Sequence, residues 1–261
     1  MARLHLLELE DQPWFPRAVR DGATDYLAFV GNLLEAPYQA FLPRLAEAMR
    51  KIGDSRLVDL ASGGSGPVQV LVRLLRAREL NVTATLTDLY PNLPKFADVA
   101  QNSGGTIDFV SESVDATNVP EDLLGFRTVC NAFHHFQPDL ALKIIEDAVH
   151  KRQGIAILEF VERSPFSMAA IPLAAVQSAL VAPVIKPFRP SRLFFSWAVP
   201  LIPFTVLWDG LVSCLRVYSV GELHALVGRI QDARYIWDIR RDAFGPLGST
   251  TLIGIPAERV R

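Results

Sequence analysis

The chain has 261 residues, half of them hydrophobic, and a formal net charge of −2. This length and composition predict one large domain, or one domain with a cap, built around an extensive apolar core. The balance of charge argues against nucleic acid as a partner, because a nucleic-acid-binding face normally carries a basic excess. Two cysteines, Cys130 and Cys214, make neither a disulfide framework nor a metal cluster, which favours a cytoplasmic location.

The first 54 residues are predicted to form an N-terminal helical cap. Residues 13–52 have helical spacing, and Thr24 is a candidate N-cap within them. The apolar residues that follow at helical spacing are expected to form the buried stripe of this helix: Leu27, Val30, Leu33 and Leu34.

From residue 55 onward, strand and helix patterns alternate. Short apolar runs typical of buried strands lie at 56–61, 82–87, 107–110, 127–132 and 155–160. Helical patterns separate these runs, and a capping box at Ser219 and Glu222 starts a last helix before two strands joined by a Gly/Pro turn. The alternation predicts an α/β fold with a doubly wound, mostly parallel sheet of seven strands, closed by an antiparallel C-terminal hairpin.

A strongly apolar segment, 164–216, interrupts this alternation. Residues 166–185 contain no charge and have the length of a membrane span, and a basic turn connects them to a second apolar run at 193–208. Prolines at 172, 183, 200 and 203 make either run a poor unbroken helix. We therefore expect a helical lid over a core formed by 55–163 and 217–261, with a membrane-embedded hairpin as the alternative.

The stretch "VDLASGGSGP", residues 58–67, places Asp59 at the end of the first strand, before a loop poor in side chains. A loop without Cβ atoms lets its backbone approach another group closely. In an open parallel sheet, ligands bind beyond the carboxyl ends of the strands. Gly63, Gly64 and Gly66 are therefore expected to lie against a ligand.

Two further acids follow the next two strands. Asp88 ends the second strand, where a carboxylate can accept hydrogen bonds from both hydroxyls of a ribose. Asp115 follows the third strand, where it could accept from the amino group of an adenine. The acid before the glycine loop would repel a pyrophosphate but suits a ligand with an ammonium group. Together these features indicate an adenosine-bearing ligand without phosphates.

This arrangement resembles the class I S-adenosylmethionine-dependent methyltransferases. The first motif of that family is an acid followed by alternating glycines, and here it reads Asp59-Leu60-Ala61-Ser62-Gly63-Gly64-Ser65-Gly66, with Ala61 and Ser65 in place of two glycines. The resemblance covers roughly residues 55–160 and 217–256. It implies S-adenosylmethionine as the cofactor and methyl transfer as the reaction.

By this resemblance, Asp59 would orient the amino group of the methyl donor, through water, and the glycines would pass beneath its methionine and ribose moieties. Asp88 would bind the ribose hydroxyls, and Leu89 would pack on the adenine. Further donor contacts are implied for Ala61, Asp115, Ala116 and Asn131, and for Arg17 and Arg20 at the donor carboxylate.

The candidate catalytic residues are His134 and His135, which follow the fourth strand in "NAFHHFQP". Either could act as a general base for a hydroxyl or amine acceptor, and His135 is preferred, since adjacent side chains point to different sides. Packing or donor binding is the alternative role for both. Candidate residues of the acceptor side are Glu159, Glu162, Arg163, Trp208, Asp209 and Arg216, with helix caps or surface ion pairs as the alternative.

After the fourth strand the chain lacks the Asn/Asp-Pro-Pro-aromatic tetrapeptide that the family uses for amino groups on bases or glutamine. We therefore expect methyl transfer to an O or N atom of a small, largely apolar acceptor. No metal site is expected, because the acids are scattered over the strand ends. The alternatives are a lipid or quinone methyltransferase peripheral to the membrane, and a methyltransferase fold that catalyses another reaction.

Overall fold

The computed structural model describes residues 2–230, 232 and 234–259. Its seven strands are β1 (Arg56–Asp59), β2 (Thr83–Leu86), β3 (Ile107–Phe109), β4 (Phe126–Cys130), β5 (Ile155–Glu159), β6 (Tyr235–Phe244) and β7 (Leu247–Pro256). They form one sheet in the order β3-β2-β1-β4-β5-β7-β6. The first five strands are parallel, and β7 is antiparallel to both β5 and β6. The predicted doubly wound sheet with a C-terminal hairpin is confirmed.

Helices cover both faces of this sheet. They are α1 (Arg17–Leu33), α2 (Ala36–Gln39), α3 (Phe41–Ile52), α4 (Gly66–Arg76), α5 (Leu93–Asn102), α6 (Pro138–His150), α7 (Pro165–Val181), α8 (Pro190–Leu193), α9 (Leu201–Arg216) and α10 (Val220–Val227). Successive β1 residues point to opposite faces: Leu57 packs in the core beneath α3 and α4, and Val58 in the core beneath α6 and α10. Such two-sided burial explains why the central strands read as continuous apolar runs.

Helix α1 differs from the sequence-based expectation. It begins at Arg17, so Thr24 lies in its middle and does not cap it. The predicted stripe is also wrong, because Leu27, Leu33 and Leu34 are exposed. The buried residues of α1 are instead Val19, Gly22, Ala23 and Tyr26. Their small average size reflects close packing, since a Cβ at Gly22 would lie 2.3 Å from Ile202 of α9.

The segment after β5 forms α7, α8, a π-helical turn (Phe194–Ala198) and α9, which confirms the helical insertion. It is fixed to α1 by Arg192, whose buried guanidinium donates to Asp25 at 2.7 Å and to the Pro187 carbonyl at 2.9 Å. Among the described residues, no single helix is long and apolar enough to cross a bilayer. One pair of segments, Pro190–Ala198 and Leu201–Arg216, reaches the necessary length and hydropathy when the two are taken together, but they meet at an angle of 77°.

Candidate active site

The loop after β1 has an unusual backbone. Ala61, Gly63 and Ser65 adopt left-handed conformations with φ of 52°, 46° and 59°. A left-handed conformation costs a residue with a Cβ about 1–2 kcal/mol. Ala61 and Ser65 therefore keep the backbone path that alternating glycines would give, at an energetic cost.

The three glycines of the loop have different neighbours. A Cβ at Gly63 would meet no atom within 4 Å, so this residue borders open space. A Cβ at Gly64 would lie 2.7 Å from Thr24, and one at Gly66 would lie 3.2 Å from the backbone of Ala28. Gly64 and Gly66 thus let α1 pack on the loop, and Gly63 is the glycine that leaves room for a ligand.

Asp88 ties this loop to the end of β2. Its Oδ2 accepts a hydrogen bond from the Gly63 N–H at 2.9 Å, and its Oδ1 accepts from the Tyr90 N–H at 2.9 Å. An ionised carboxylate has about four acceptor sites, so each oxygen can accept another bond. Asp88 and Gly63 border a cleft of about 830 Å³. The cleft lies between the sheet edge, α1 and the turn before α8, and Lys186 of that turn also lines it.

Asp59 is buried behind the loop. Its Oδ1 accepts from the Thr128 hydroxyl at 2.7 Å, and burial raises its pKa to about 6. Among the described residues, no basic side chain forms a salt bridge with it. A buried carboxylate that lacks a cationic partner favours a ligand ammonium, reached directly or through water.

The remaining predicted donor residues occupy the expected strand ends. The exposed Asp115 accepts from the Thr117 N–H and hydroxyl, both at 2.8 Å, so it holds the turn after β3. Asn131 is left-handed (φ 53°), and its Oδ1 accepts from the Phe160 N–H at 2.7 Å. Three more are placed as follows: Leu89 is exposed beside Asp88, Ala116 is buried, and Ala61 is half-buried.

The two arginines proposed for the donor carboxylate both line the cleft. Arg20 donates to the carbonyls of Glu10 and Gln12 at 2.9 and 2.6 Å, so its guanidinium is held by the N-terminal segment. Arg17 is largely exposed and lies 3.7 Å from Asp21. Of the two, Arg17 has the more freely oriented guanidinium.

His134 is held by Glu159 at the end of β5. One carboxylate oxygen accepts from the His134 backbone N–H at 3.0 Å, and the other lies 2.7 Å from the ring Nδ1. Because an ionised carboxylate only accepts hydrogen bonds, Nδ1 is the donor of this pair, and Nε2 is the ring nitrogen that this bond leaves free. The His134 ring is buried, and its Nε2 lies 3.9 Å from Glu8.

His135 stacks on His134, with the ring centroids 4.3 Å apart, and belongs to an ion network. Its Nδ1 lies 3.1 Å from Asp11, 3.3 Å from Glu8 and 3.3 Å from the guanidinium of Arg216. Burial raises the pKa of Glu8 to about 7. Burial alone would also raise the pKa of Asp11, but hydrogen bonds with His135 and Arg216 hold it below its ordinary value.

The predicted acceptor residues of α9 bind the N-terminal segment 2–15, which we call the arm. Trp208 donates its indole N–H to the Leu7 carbonyl at 3.0 Å. Asp209 accepts from the backbone N–H groups of Leu9 and Glu10, at 2.7 and 3.0 Å. The arm thereby covers the histidines.

Arg216 completes this attachment. Its guanidinium donates to the Leu6 carbonyl at 2.7 Å and to Asp11 at 2.8 Å. Farther out, Glu162 accepts two bonds from Arg241, at 2.6 and 2.8 Å, and Arg163 pairs with Glu222. Glu162 and Arg163 thus connect the end of β5 to the C-terminal part of the core.

Sequence reasoning missed Glu8 and Asp11, which the arm brings beside the histidines. The acids of "ELED" (8–11) are visible in the sequence. Nothing local indicates that they fold against residues more than 120 positions away. Ser213 of α9 also contacts Glu8, with its hydroxyl donating at 3.1 Å.

Glu8, His134 and His135 present possible metal ligand atoms within 4.8 Å of one another. The Arg216 guanidinium lies 3.3 Å from both Glu8 and the His135 Nδ1. Arg216 therefore already supplies positive charge to this group, and a cation there would have to displace it.

No family model matches this chain, and no curated protein sequence matches it. Among solved structures, it is similar to a candidate O-methyltransferase from Nostoc punctiforme PCC 73102, at 12% identity and a TM-score of 0.52 over 97% of this chain and 64% of that one. It is also similar to NcsB1, an O-methyltransferase from neocarzinostatin biosynthesis solved with S-adenosylmethionine and 2-hydroxy-5-methyl naphthoic acid, at 14% identity and a TM-score of 0.51. That alignment covers 92% of this chain and 58% of NcsB1.

The chain thus spans about three fifths of the length of these two structures. Together with the sheet order and the strand-end acids, the similarity shows that this protein has the class I methyltransferase fold.

Proposed function

We propose that this protein transfers a methyl group from S-adenosylmethionine to an O or N atom of a small, largely apolar acceptor. The observation that carries the proposal is Asp88, whose carboxylate is fixed by the Gly63 loop at the mouth of the cleft. In doubly wound sheets that bind a nucleotide cofactor, an acid at this strand end can accept hydrogen bonds from the ribose hydroxyls.

The residues present fit this methyl donor. Gly63 leaves open space beside the loop, and Asp59 is a buried acid suited to the donor's amino group. The adenine would lie between Leu89 and the turn of Asp115 and Ala116, and Asn131 would approach the amino-acid moiety with its backbone. Such a sulfonium donor supplies an electrophilic methyl group, so the protein chiefly has to align the acceptor with it.

We assign the general base to His134 and a positioning role to Glu159. The Glu159 carboxylate fixes the ring with Nδ1 protonated, which leaves the Nε2 lone pair to take a proton from the acceptor. His135 is held by Asp11 and Arg216 and is better placed to orient the arm. This reverses our preference for His135 from the sequence.

The acceptor would enter between the core (55–163 and 217–261), the cap (1–54) and the lid (164–216). NcsB1 holds an aromatic acid together with its methyl donor. We extend the proposal to a related acceptor, because the Arg216 guanidinium lies 3.3 Å from the Nδ1 of His135, which stacks on His134, and residues 166–185 of the lid contain no charge. A lipid or quinone acceptor is the second candidate, favoured by the exposed apolar face of the lid.

The test is calorimetric titration with S-adenosylmethionine, followed by transfer of a labelled methyl group to a panel of aromatic acids, phenols and quinols. We expect donor binding by the wild type and transfer to at least one hydroxylated acceptor. Absence of donor binding in a folded protein would refute the proposal.

A further inference from the structure

The lid helices form a layer with an inner and an outer face. On the inner side, Ala175 of α7 and Ile202 and Val206 of α9 share an apolar cluster with Val19 and Tyr26 of α1. Both helices therefore use the same side of the layer to pack on α1. Their opposite sides point away from the rest of the described chain.

The two helices run antiparallel. Gly210, in the second half of α9, packs against Ile171, in the first half of α7. Trp197, just before α9, donates its indole N–H to the carbonyl of Ala179, near the end of α7, at 2.9 Å. The outer faces of α7 and α9 consequently lie side by side as one surface.

This outer face is almost entirely apolar. Leu173 and Leu180 are 72% and 71% exposed, and Trp197 and Phe204 are 60% and 53% exposed. The exposed residues recur at helical spacing: Leu173, Val176 and Leu180 on α7, and Leu201, Phe204 and Trp208 on α9. The ring of Phe194 adds to them from the π-helical turn.

The exposed apolar area of this face is larger than single apolar residues scattered over a protein surface would give. An aromatic side chain offers about 150–250 Å² of surface. Four half-exposed aromatic residues therefore expose roughly 400 Å², which alone equals the largest apolar patch of a typical monomer. The leucines and valines enlarge it further.

The charged residues of 164–208 all have the same sign. Residues 164–208 contain Lys186, Arg189 and Arg192 and no acid. Arg192 is buried, and Arg189 pairs with acids of α1, but Lys186 is exposed at the end of the lid, without an ion pair among the described residues. If this face paired two-fold with the same face of a second copy, the second copy's face would offer no acid to Lys186. Anionic lipid headgroups would supply the negative charge.

We propose that the outer face of the lid docks on the surface of an anionic lipid bilayer. The apolar side chains enter the headgroup and acyl boundary while the helices lie in its plane, as amphipathic interfacial helices do. Trp197 suits this position, since its ring is exposed and its N–H is satisfied within the protein. Lys186 also lines the cleft, so docking places the mouth of the cleft near the bilayer surface.

The test is sedimentation of the full chain with vesicles of phosphatidylcholine, pure or containing phosphatidylglycerol. We expect binding to the anionic vesicles that weakens at high salt, and weaker binding to the neutral ones. Combining Leu173→Asp with Phe204→Asp should reduce binding at least roughly tenfold, because both charges would enter the apolar boundary. The tryptophan emission should shift to the blue on binding, and Trp197→Phe should reduce that shift, with Trp208 of the same face supplying the rest.

The matched control combines Leu124→Asp with Leu140→Asp, which changes two exposed leucines of the core and should leave binding unchanged. Equal melting temperatures would show that both double variants fold. The proposal is overturned if the wild type ignores anionic vesicles, or if the lid variant binds them as well as the wild type. It is also overturned if the lid variant leaves vesicle binding unchanged and instead converts a dimer into a monomer, because the face would then bind a second copy of the chain. None of these results depends on methyl transfer, so they leave the proposed function standing.

Discussion

The proposed donor side and the proposed acceptor side of the candidate site are built in different ways. On the proposed donor side, Asp88 bonds to Gly63, and the two lie in neighbouring strand-to-helix connections of the parallel part of the sheet. On the acceptor side, Arg216 binds Asp11 and Leu6 across more than 200 positions of chain. The sheet topology suffices to assemble the first, whereas the second exists only when the arm is docked.

The two sides also differ in their electrostatics. Asp88 keeps acceptor capacity toward an open cleft, and Asp59 has no cationic partner among the described residues. Around the histidines, by contrast, the acids Glu8 and Asp11 already have partners in the guanidinium of Arg216 and the ring of His135. A ligand ammonium is therefore the stronger expectation on the donor side, and a proton transfer on the acceptor side.

Replacing the proposed base, His134, should give the largest effect on catalysis. His134→Ala should lower kcat for a hydroxyl acceptor about 10²–10⁴-fold, the usual range for general-base catalysis, and leave donor affinity nearly unchanged. Glu159→Gln should lower kcat less and shift its pH profile, because the amide holds the ring without a charge. His135→Ala is the matched control. A larger loss of kcat in His135→Ala than in His134→Ala would reverse the assignment.

Substitutions on the proposed donor side should instead lower the affinity for S-adenosylmethionine. Asp88→Ala would remove the two charge-assisted hydrogen bonds that we propose to the ribose, each contributing about 1.5–3 kcal/mol, so calorimetry should show donor affinity falling at least about a hundredfold. Asp98→Ala changes an acid on the same cleft wall that lies 3.9 Å from Lys95, and should leave the affinity within about twofold. Equal affinities for wild type and Asp88→Ala would remove the ribose assignment.

The acceptor side should make stability depend on pH. The folded state raises the pKa of Glu8 from 4.5 to about 7, so between these values it holds a proton that the unfolded chain has released. The contribution of Glu8 to stability therefore falls as pH rises through this window, by at most about 3 kcal/mol. Glu8→Gln should flatten this part of the curve of unfolding free energy against pH.

The exposed Glu47 offers the control, since Glu47→Gln should leave that curve unchanged between pH 4.5 and 7. Parallel curves for the wild type and Glu8→Gln would show that the arm does not bury this carboxyl in solution.

The smallest effect is expected in the glycine loop. Ser65→Gly should raise the unfolding free energy by about 1 kcal/mol, because glycine relieves the left-handed backbone and removes a buried hydroxyl without a hydrogen-bond partner. Ser62→Ala should instead destabilise, since the Ser62 hydroxyl bonds to the Asp59 carbonyl and the Thr87 N–H at 2.9 and 3.2 Å. Thermal unfolding distinguishes these outcomes. If Ser65→Gly destabilised the protein, the left-handed backbone at Ser65 would not be strained.

Most of the core could be predicted from sequence. The strands at 56–59 and 155–159 are apolar runs bounded by polar residues, and their ends place Asp59 and Glu159 at one sheet edge. Helix α1 was harder to predict, because it packs on both the glycine loop and the lid. Its periodicity does not reveal which face is buried: Leu27 and Leu33 are exposed while Gly22 and Ala23 are buried.

By itself, the sequence determined the alternation of strands and helices, the hairpin that closes the sheet and the acids at the strand ends. These depend on period, turn residues and the rule that parallel strands present their carboxyl ends at one edge. Only the tertiary structure decided that the arm joins α9 over the histidines, that Glu159 fixes His134, and that Gly64 and Gly66 make room for α1. These contacts join distant segments, and their energies depend on burial and mutual distance, which no local pattern encodes.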